Sequence, residues 1–194
     1  MIVMDEDTCM VDVARYFIEF LTEESCGKCL PCREGLRQMH RILTRITRGQ
    51  GREGDIETLE ELSEVAVEAS LCALGKSAPN PFLSTLRHFR DEYEAHIREK
   101  RCPALACKEL ISYWIDPEKC VGCKLCLKKC PAQAVIGDKK TIHVIEQQKC
   151  TTGGVCFDVC PTRYSAVRRI SGEPVPPPVP EDQRAVVRKG KGHE

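Results

Sequence analysis

Cysteine is the residue type whose spacing points most directly to chemistry in this sequence of 194 residues, which contains 14 cysteines. The strongest motif places three cysteines at two-residue intervals and a fourth three residues later, before a proline: Cys120, Cys123, Cys126, Cys130 and Pro131. Three thiolates in one tight loop can each bind one iron of a cubane, whereas structural zinc sites use separated cysteine pairs. The motif therefore predicts iron–sulfur chemistry rather than zinc.

An internal repeat at an offset of 30 residues supplies a second copy of this motif. The matching positions, written as first and second copy, are Ile115/Ile145, Lys119/Lys149, Cys120/Cys150, Cys126/Cys156, Cys130/Cys160 and Pro131/Pro161. Gly153 stands where the repeat requires the second cysteine. The repeat therefore predicts a duplicated ferredoxin in which one cysteine ligand is missing.

The fourth cysteine of each copy is expected to ligate the cluster of the other copy. This crossed ligation predicts a complete 4Fe-4S cluster held by Cys120, Cys123, Cys126 and Cys160. It leaves an incomplete second site made of Cys130, Cys150 and Cys156. Because glycine offers no donor atom, that site could hold a 3Fe-4S cluster, a cubane with an outside ligand, or no cluster. A three-iron cluster is our first expectation.

A third motif has the cubane spacing without a following cysteine and proline. It consists of Cys26, Cys29 and Cys32, so the fourth ligand must be remote. Cys72 lies near the end of a predicted helix that can return to the same end of a helical bundle. We therefore expect a second complete 4Fe-4S cluster, held by these four cysteines.

Two further cysteines, Cys102 and Cys107, follow His96 in a short segment. One imidazole and two thiolates could form part of a zinc site, with His143 as the fourth ligand. Two unligated thiols and two surface histidines are the alternative. Cys9 is expected to be an isolated buried thiol.

Composition excludes several broad classes of protein. Lys+Arg and Asp+Glu both number 29, so the formal net charge is zero, which argues against nucleic-acid binding driven by global charge. No apolar run reaches the roughly 18 residues of a membrane span. The acidic N-terminus lacks the features of a signal peptide. We therefore expect a cytoplasmic protein, whose unpaired cysteines bind metal.

Hydrophobic periodicity predicts the elements that position these cysteines. Four stripes at helical spacing predict a four-helix bundle carrying one cluster. In chain order the stripes are Val13, Phe17, Phe20 and Leu21; Leu36, Met39, Leu43 and Ile46; Ile56, Leu59, Leu62, Ala66 and Ala69; and Phe82, Leu86, Phe89, Tyr93 and Ile97. Short β-prone runs beside the later cysteines predict a two-cluster ferredoxin domain, so the fold class is α+β. The predicted divisions are a remnant strand of an upstream domain at 1–10, the bundle at 11–100, a hinge at 101–110, the ferredoxin domain at 111–170 and a disordered Pro-rich tail at 171–194.

Two segments closely resemble the NADH-binding flavoprotein family: Glu24-Ser25-Cys26-Gly27-Lys28-Cys29-Leu30-Pro31-Cys32-Arg33-Glu34-Gly35 and Ser70-Leu71-Cys72-Ala73-Leu74-Gly75. The stretch Met4-Asp5-Glu6-Asp7-Thr8-Cys9 is also similar to this family. The family includes the flavin subunit of respiratory complex I and the β subunit of NAD(P)-linked, electron-bifurcating iron hydrogenases. The appended ferredoxin motifs resemble the hydrogenase subunits more closely.

The resemblance implies an electron-transfer subunit, or a fragment of one, in a multisubunit NAD(P)H-linked oxidoreductase. Its implied partners are a flavin- and NAD(P)H-binding subunit or domain, a thioredoxin-like 2Fe-2S subunit, a hydrogenase or other catalytic subunit, and ferredoxin. No glycine-rich dinucleotide motif is present, so no residue is assigned to FMN or NAD, and none is assigned a catalytic role. An iron–sulfur redox sensor is the alternative function, followed by a zinc-structured scaffold.

Overall fold

The computed structural model describes residues 3–186 and divides the chain into two compact units, Met1–Ile111 and Ser112–Glu194. The first unit is helical. Its α-helices are α1 (Met10–Glu24), α2 (Leu36–Thr47), α3 (Asp55–Ala69), α4 (Ala73–Ser77), α5 (Asn80–His88) and α6 (Arg90–Glu94). A π-helical turn, Pro31–Gly35, runs directly into α2, and a second one, Ala95–Glu99, continues α6.

Helices α1, α2 and α3 form where the sequence predicts them, but the buried faces differ in part. The buried residues of α1 are Val11, Ala14 and Ile18, whereas Phe20 of the predicted stripe is 50% exposed. The predicted fourth helix is divided between α5 and α6 because the backbone leaves helical geometry at Phe89, with φ −137° and ψ 39°. That break leaves Phe89 39% exposed while Tyr93 is fully buried.

The second unit contains short helices and two small antiparallel sheets. Its elements are β1 (Ser112–Ile115), α7 (Leu125–Lys129), β2 (Val135–Ile136), β3 (Val144–Ile145), α8 (Val155–Asp158) and β4 (Val167–Ile170). Strand β1 pairs with β4 and β2 pairs with β3. The expected combination of helices with small sheets is thus confirmed for the chain.

Residues after β4 fold back onto earlier residues of the second unit. Arg184 accepts a backbone hydrogen bond from Ile142 at 2.7 Å, and Val186 donates one to Lys140 at 3.1 Å. The rest of the predicted disordered tail, residues 187–194, lies outside the described residues.

The remnant strand expected at residues 1–10 does not form in residues 3–9, and Val3 is 82% exposed; the first two residues are not described. No helix in residues 3–186 is both long and apolar enough to cross a membrane.

Candidate metal centres

The loop between α1 and α2 carries the first cysteine motif. Burial increases along it, from exposed to half-buried to buried, at Cys26, Cys29 and Cys32. Arg33 braces the loop by donating from Nη1 to the carbonyl oxygen of Gly27 at 2.7 Å. Gly27 has a φ of +75°, a conformation that suits glycine. The start of the loop is therefore tied to the residue that follows its third cysteine.

Cys72 immediately precedes α4, and its turn lies against the motif. A Cβ atom added to Gly75 would stand 3.3 Å from Cys32 Cβ and 2.5 Å from Ser70 Oγ. Only glycine allows this close approach. Backbone N–H groups of Gly75 and Leu74 lower the pKa of the Cys72 thiol, which favours its thiolate form. The remote cysteine predicted from the sequence thus lies in a segment packed on Cys32.

Ser70, beside this site, has a buried hydroxyl group that no described protein atom satisfies. The residue is 3% exposed. An unsatisfied buried hydroxyl costs about 1–3 kcal/mol, so it normally has a partner. By contrast, the equally buried Ser63 donates to the carbonyl of Leu59 at 2.6 Å. A cluster sulfur held by the adjacent cysteines would accept the Ser70 hydrogen bond, so the residues present fit an iron–sulfur group.

In the second unit, one cavity is lined by all four cysteines predicted to hold the complete ferredoxin cluster: Cys120, Cys123, Cys126 and Cys160. Cys160 comes from the second half of the repeat, as crossed ligation requires. Burial, followed by the charge of Cys120, raises the pKa of Cys126 to about 12. Such a thiol is protonated at neutral pH until a metal replaces the proton. The four cysteines that line this one cavity, rather than the raised pKa, are what fits a metal cluster.

His143 lies in this same cavity, 1% exposed, and not with the other residues of the expected zinc site. Its backbone N–H donates to Cys120 Sγ at 3.4 Å, and its Nδ1 lies 3.7 Å from the same sulfur. Burial lowers the pKa of His143, which favours the neutral ring. A neutral ring with its proton on Nδ1 gives Cys120 a second N–H donor.

The incomplete site also brings its three cysteines close together. Burial, and then the charge of Cys150, raises the pKa of Cys156 to about 11, with a further contribution from Cys130. Gly153 is exposed and contributes no side chain. Cys150 and Cys130 thus lie within electrostatic range of Cys156, beside a position that faces solvent.

The tightest group of donor atoms lies in the helical unit and is fully buried. Within residues 3–186, only one set of three or more metal-binding side chains has its donor atoms within 4.8 Å of one another: Cys9, His96, Cys102 and Cys107. The Cys9 and Cys107 sulfurs are 3.8 Å apart, and each lies 3.4 Å from His96 Nε2. Tetrahedral zinc with bonds of about 2.3 Å to sulfur places sulfurs about 3.8 Å apart.

The surroundings of His96 also suit a metal ligand. Its Nδ1 lies 2.7 Å from the carbonyl oxygen of Glu92, which fixes the ring and leaves Nε2 toward the sulfurs. Burial alone lowers the pKa of His96, but hydrogen bonds with Cys102 and Cys9 raise it to about 10. A bound divalent cation would stabilise the cysteine thiolates in place of the protonated His96 ring.

The position of Cys9 corrects two expectations. Cys9 is buried, as expected, but it belongs to a four-residue group instead of standing alone. His143 is not in that group, since it lies beside Cys120 in the second unit. Cys9 ends the loop before α1, and the Met10 N–H donates to Glu92 Oε2 at 3.0 Å, which brings the two segments together. The one sequence feature that pointed to Cys9 was the odd thiol left after the other sets were assigned.

Two known iron–sulfur families match different parts of this chain. Residues 12–96 match the NADH-ubiquinone oxidoreductase-F iron–sulfur binding region, and residues 113–167 match a 4Fe-4S dicluster domain. The chain thus contains segments that match these two iron–sulfur domains, and the resemblance expected from the sequence is confirmed.

Among individual proteins, the chain is 50% identical over 143 residues to the HndC subunit of the NADP-reducing hydrogenase of Solidesulfovibrio fructosivorans. It is 42% identical over 99 residues to the mitochondrial 51 kDa subunit of NADH-ubiquinone oxidoreductase of Neurospora crassa. The matches cover 74% and 51% of this chain, but only 29% and 20% of these relatives. A crystal structure of NAD+-reducing [NiFe]-hydrogenase matches with 34% identity and a TM-score of 0.48, over 50% of this chain and 17% of that one.

Proposed function

We propose that this chain relays electrons within an NAD(P)H-linked oxidoreductase of the hydrogenase type. The observation that carries the proposal is the pair of complete four-cysteine sets, one in each unit and each beside a buried polar side chain. Clusters transfer electrons, and the protein contributes their spacing, burial and hydrogen bonds to sulfur. The high identity to a hydrogenase component supports this choice over a redox sensor or a zinc scaffold.

The proposed partners follow from the same relatives, of which this chain spans less than a third. A flavin- and NAD(P)H-binding subunit or domain would exchange electrons with the cluster of Cys26, Cys29, Cys32 and Cys72. A thioredoxin-like 2Fe-2S subunit, a hydrogenase or other catalytic subunit, and ferredoxin are the further proposed partners. All 14 cysteines are free of disulfide bonds, which supports a reducing, cytoplasmic location.

The relay is tested with the full chain reconstituted with iron and sulfide under argon. Photoreduced FMN serves as the electron donor and oxidised two-cluster ferredoxin as the acceptor. We expect two reduced four-iron EPR signals and FMN-dependent reduction of the acceptor. Cys72→Ala should remove one signal, whereas Ser63→Ala should remove none. A purified chain that retains stoichiometric zinc and no iron would contradict the proposal.

For the third cluster site, we propose a 3Fe-4S cluster held by Cys130, Cys150 and Cys156. Three thiolates supply one ligand to each of three irons, so no donor is needed at Gly153. The oxidised protein should then show a three-iron EPR signal that disappears in Cys156→Ala. Its absence from oxidised, iron-replete protein would contradict the assignment.

For the group of Cys9, His96, Cys102 and Cys107 we propose one structural zinc ion. Three thiolates and one imidazole form a closed tetrahedral site that leaves no position for substrate. We expect one zinc per chain, and cobalt substitution should give the visible spectrum of a tetrahedral thiolate site. Loss of zinc in His96→Ala but not in His88→Ala, an exposed histidine of the same unit, would support the assignment. Full zinc content in Cys9→Ser would contradict it.

A further inference from the structure

The loop around Gly153 has kept the backbone conformation that presents a ligand in the first half of the repeat. Gly153 corresponds to Cys123. The residue before each has a positive φ, +67° at Gly122 and +50° at Thr152, and so does the residue after each, +66° at Lys124 and +77° at Gly154. The cysteine is missing from a loop that is otherwise shaped to hold it.

The backbone does not require glycine at position 153. Gly153 is absent from the residues with positive φ. A Cβ atom built on it would meet only Thr151 Oγ1, at 3.9 Å, which is ordinary contact. At Gly122, by contrast, a Cβ atom would stand 2.7 Å from the backbone nitrogen and oxygen of Thr141. The space next to Gly153 is therefore open to a side chain or to an external group of similar size.

No cysteine of this chain is left to fill that corner. Besides Cys130, Cys150 and Cys156, the remaining eleven cysteines all belong to the three groups described above. A fourth thiolate at this corner would therefore have to come from outside the chain.

The surroundings favour a soft anion as that ligand. Gly153 and Thr151 are exposed, so a small molecule can reach the corner from solvent. Residues 116–170 contain ten Lys and Arg against five Asp and Glu, which gives this region a positive charge. Iron in sulfide clusters prefers soft thiolates. A low-molecular-weight thiolate combines the size, charge and softness that this corner accepts.

We propose that the Gly153 corner is a site for Fe²⁺ and an external thiolate, so that the three-thiolate site converts between three-iron and four-iron forms. This inference rests on the proposed iron–sulfur function. The reaction is balanced: [3Fe–4S]⁰, Fe²⁺ and RS⁻ give [4Fe–4S]²⁺ with RS⁻ bound, and the thiol proton passes to the buffer. Dithionite supplies the single electron that brings the oxidised three-iron core to its neutral state.

The test uses the reconstituted full chain under argon, first oxidised and then reduced with dithionite. Fe²⁺ is added with or without 2-mercaptoethanol, and samples are read by native mass spectrometry and EPR. We expect a mass gain of one iron plus one thiolate only when both are present, together with loss of the three-iron signal on reoxidation. The chelator EDTA should reverse the change.

Two substitutions at the same position sharpen the test. Gly153→Cys should take up Fe²⁺ without external thiol, because its own thiolate completes the site. Gly153→Ala, whose added methyl group fits the same space, should behave like the parent chain. Equal thiol uptake by Gly153→Cys and the parent chain would place the thiolate elsewhere and overturn the inference.

The remaining outcomes separate this inference from the proposed function. If Fe²⁺ is not taken up, or is taken up without the thiolate, while the two four-iron signals are intact, the inference fails and the relay stands. If no iron–sulfur signal forms anywhere in the chain, the proposed function itself fails.

Discussion

The two halves of the ferredoxin unit share a backbone but differ in the side chains placed on it. Each motif follows a turn in which the first cysteine donates its N–H to a carbonyl four residues earlier: Cys120 to Asp116 at 3.0 Å and Cys150 to Glu146 at 3.1 Å. Yet one loop carries all its cysteines and the other lacks one. Local hydrogen bonds and residues with positive φ therefore set the shape of each loop, whereas its cysteines determine which cluster the loop can bind.

The largest expected effect tests whether the halves exchange ligands. Cys160→Ala should abolish the four-iron signal assigned to the first half, since Cys160 lines the cavity of Cys120, Cys123 and Cys126. Cys130→Ala should spare that signal and remove the three-iron signal. EPR spin quantification of both variants checks this. The opposite pattern would show that each half binds its own cluster with its own fourth cysteine.

A smaller effect is expected from substitutions at two equivalent loop positions, 122 and 152. Gly122→Ala places a Cβ atom against the Thr141 backbone at positive φ, which should lower stability by roughly 2–4 kcal/mol. Thr152→Gly relieves a β-branched residue at φ +50°, and should range from neutral to about 1 kcal/mol stabilising. Urea denaturation of the reconstituted chains measures both. Equal destabilisation by the two changes would contradict this prediction, because it would mean that Thr152 is not strained by its positive φ.

The third prediction concerns the reduction potential of the complete cluster rather than the stability of the fold. His143 provides a backbone N–H and a ring nitrogen to Cys120, and Tyr113 occupies the equivalent position of the other half. Losing one N–H donor in His143→Phe should lower the potential of the complete cluster by roughly 20–40 mV, which corresponds to about 0.5–1 kcal/mol for one electron. His143→Asn should restore part of it.

EPR-monitored redox titration provides the measurement for this third prediction. Tyr113→Phe, as the matched control, should leave the potential of the complete cluster unchanged. An unchanged potential in His143→Phe would exclude the ring as a donor to Cys120.

The smallest expected effect is the difference in stability cost between removing two ion pairs, one beside each of the two turns. Asp116 is largely buried and pairs with Arg168 at 3.0 Å, whereas Glu146 pairs with Lys149 at 2.7 Å near the surface. Asp116→Asn should cost about 0.5 kcal/mol, and Glu146→Gln less than that. At high salt the cost of Glu146→Gln should fall by a larger fraction than that of Asp116→Asn, because salt screens exposed charges more strongly than buried ones. A larger cost for Glu146→Gln would reverse this ranking.

Sequence spacing was most informative where ligands are close in the chain. The offset of 30 residues predicted the paired loops, and local periodicity predicted the first three helices. The group of Cys9, His96 and Cys107 was only partly predicted, because its contacts join residues 87 and 98 positions apart. Only tertiary packing of α1 against α6 brings Cys9 there, and periodicity carries no record of that contact. The exposed Phe89 was missed because a single backbone break rotated the helical stripe.

Backbone hydrogen bonds from the segment at residues 184–186 stabilise the first half of the repeat, and they do not depend on a bound cluster. Lys140 donates its N–H to the carbonyl of Gly122 at 3.2 Å and accepts a hydrogen bond from Val186 at 3.1 Å. Two hydrogen bonds thus connect the chain after the repeat to the loop of Cys120 and Cys123. A protease that cut before residue 184 would touch no thiol, yet it would shorten the survival of the complete cluster in air.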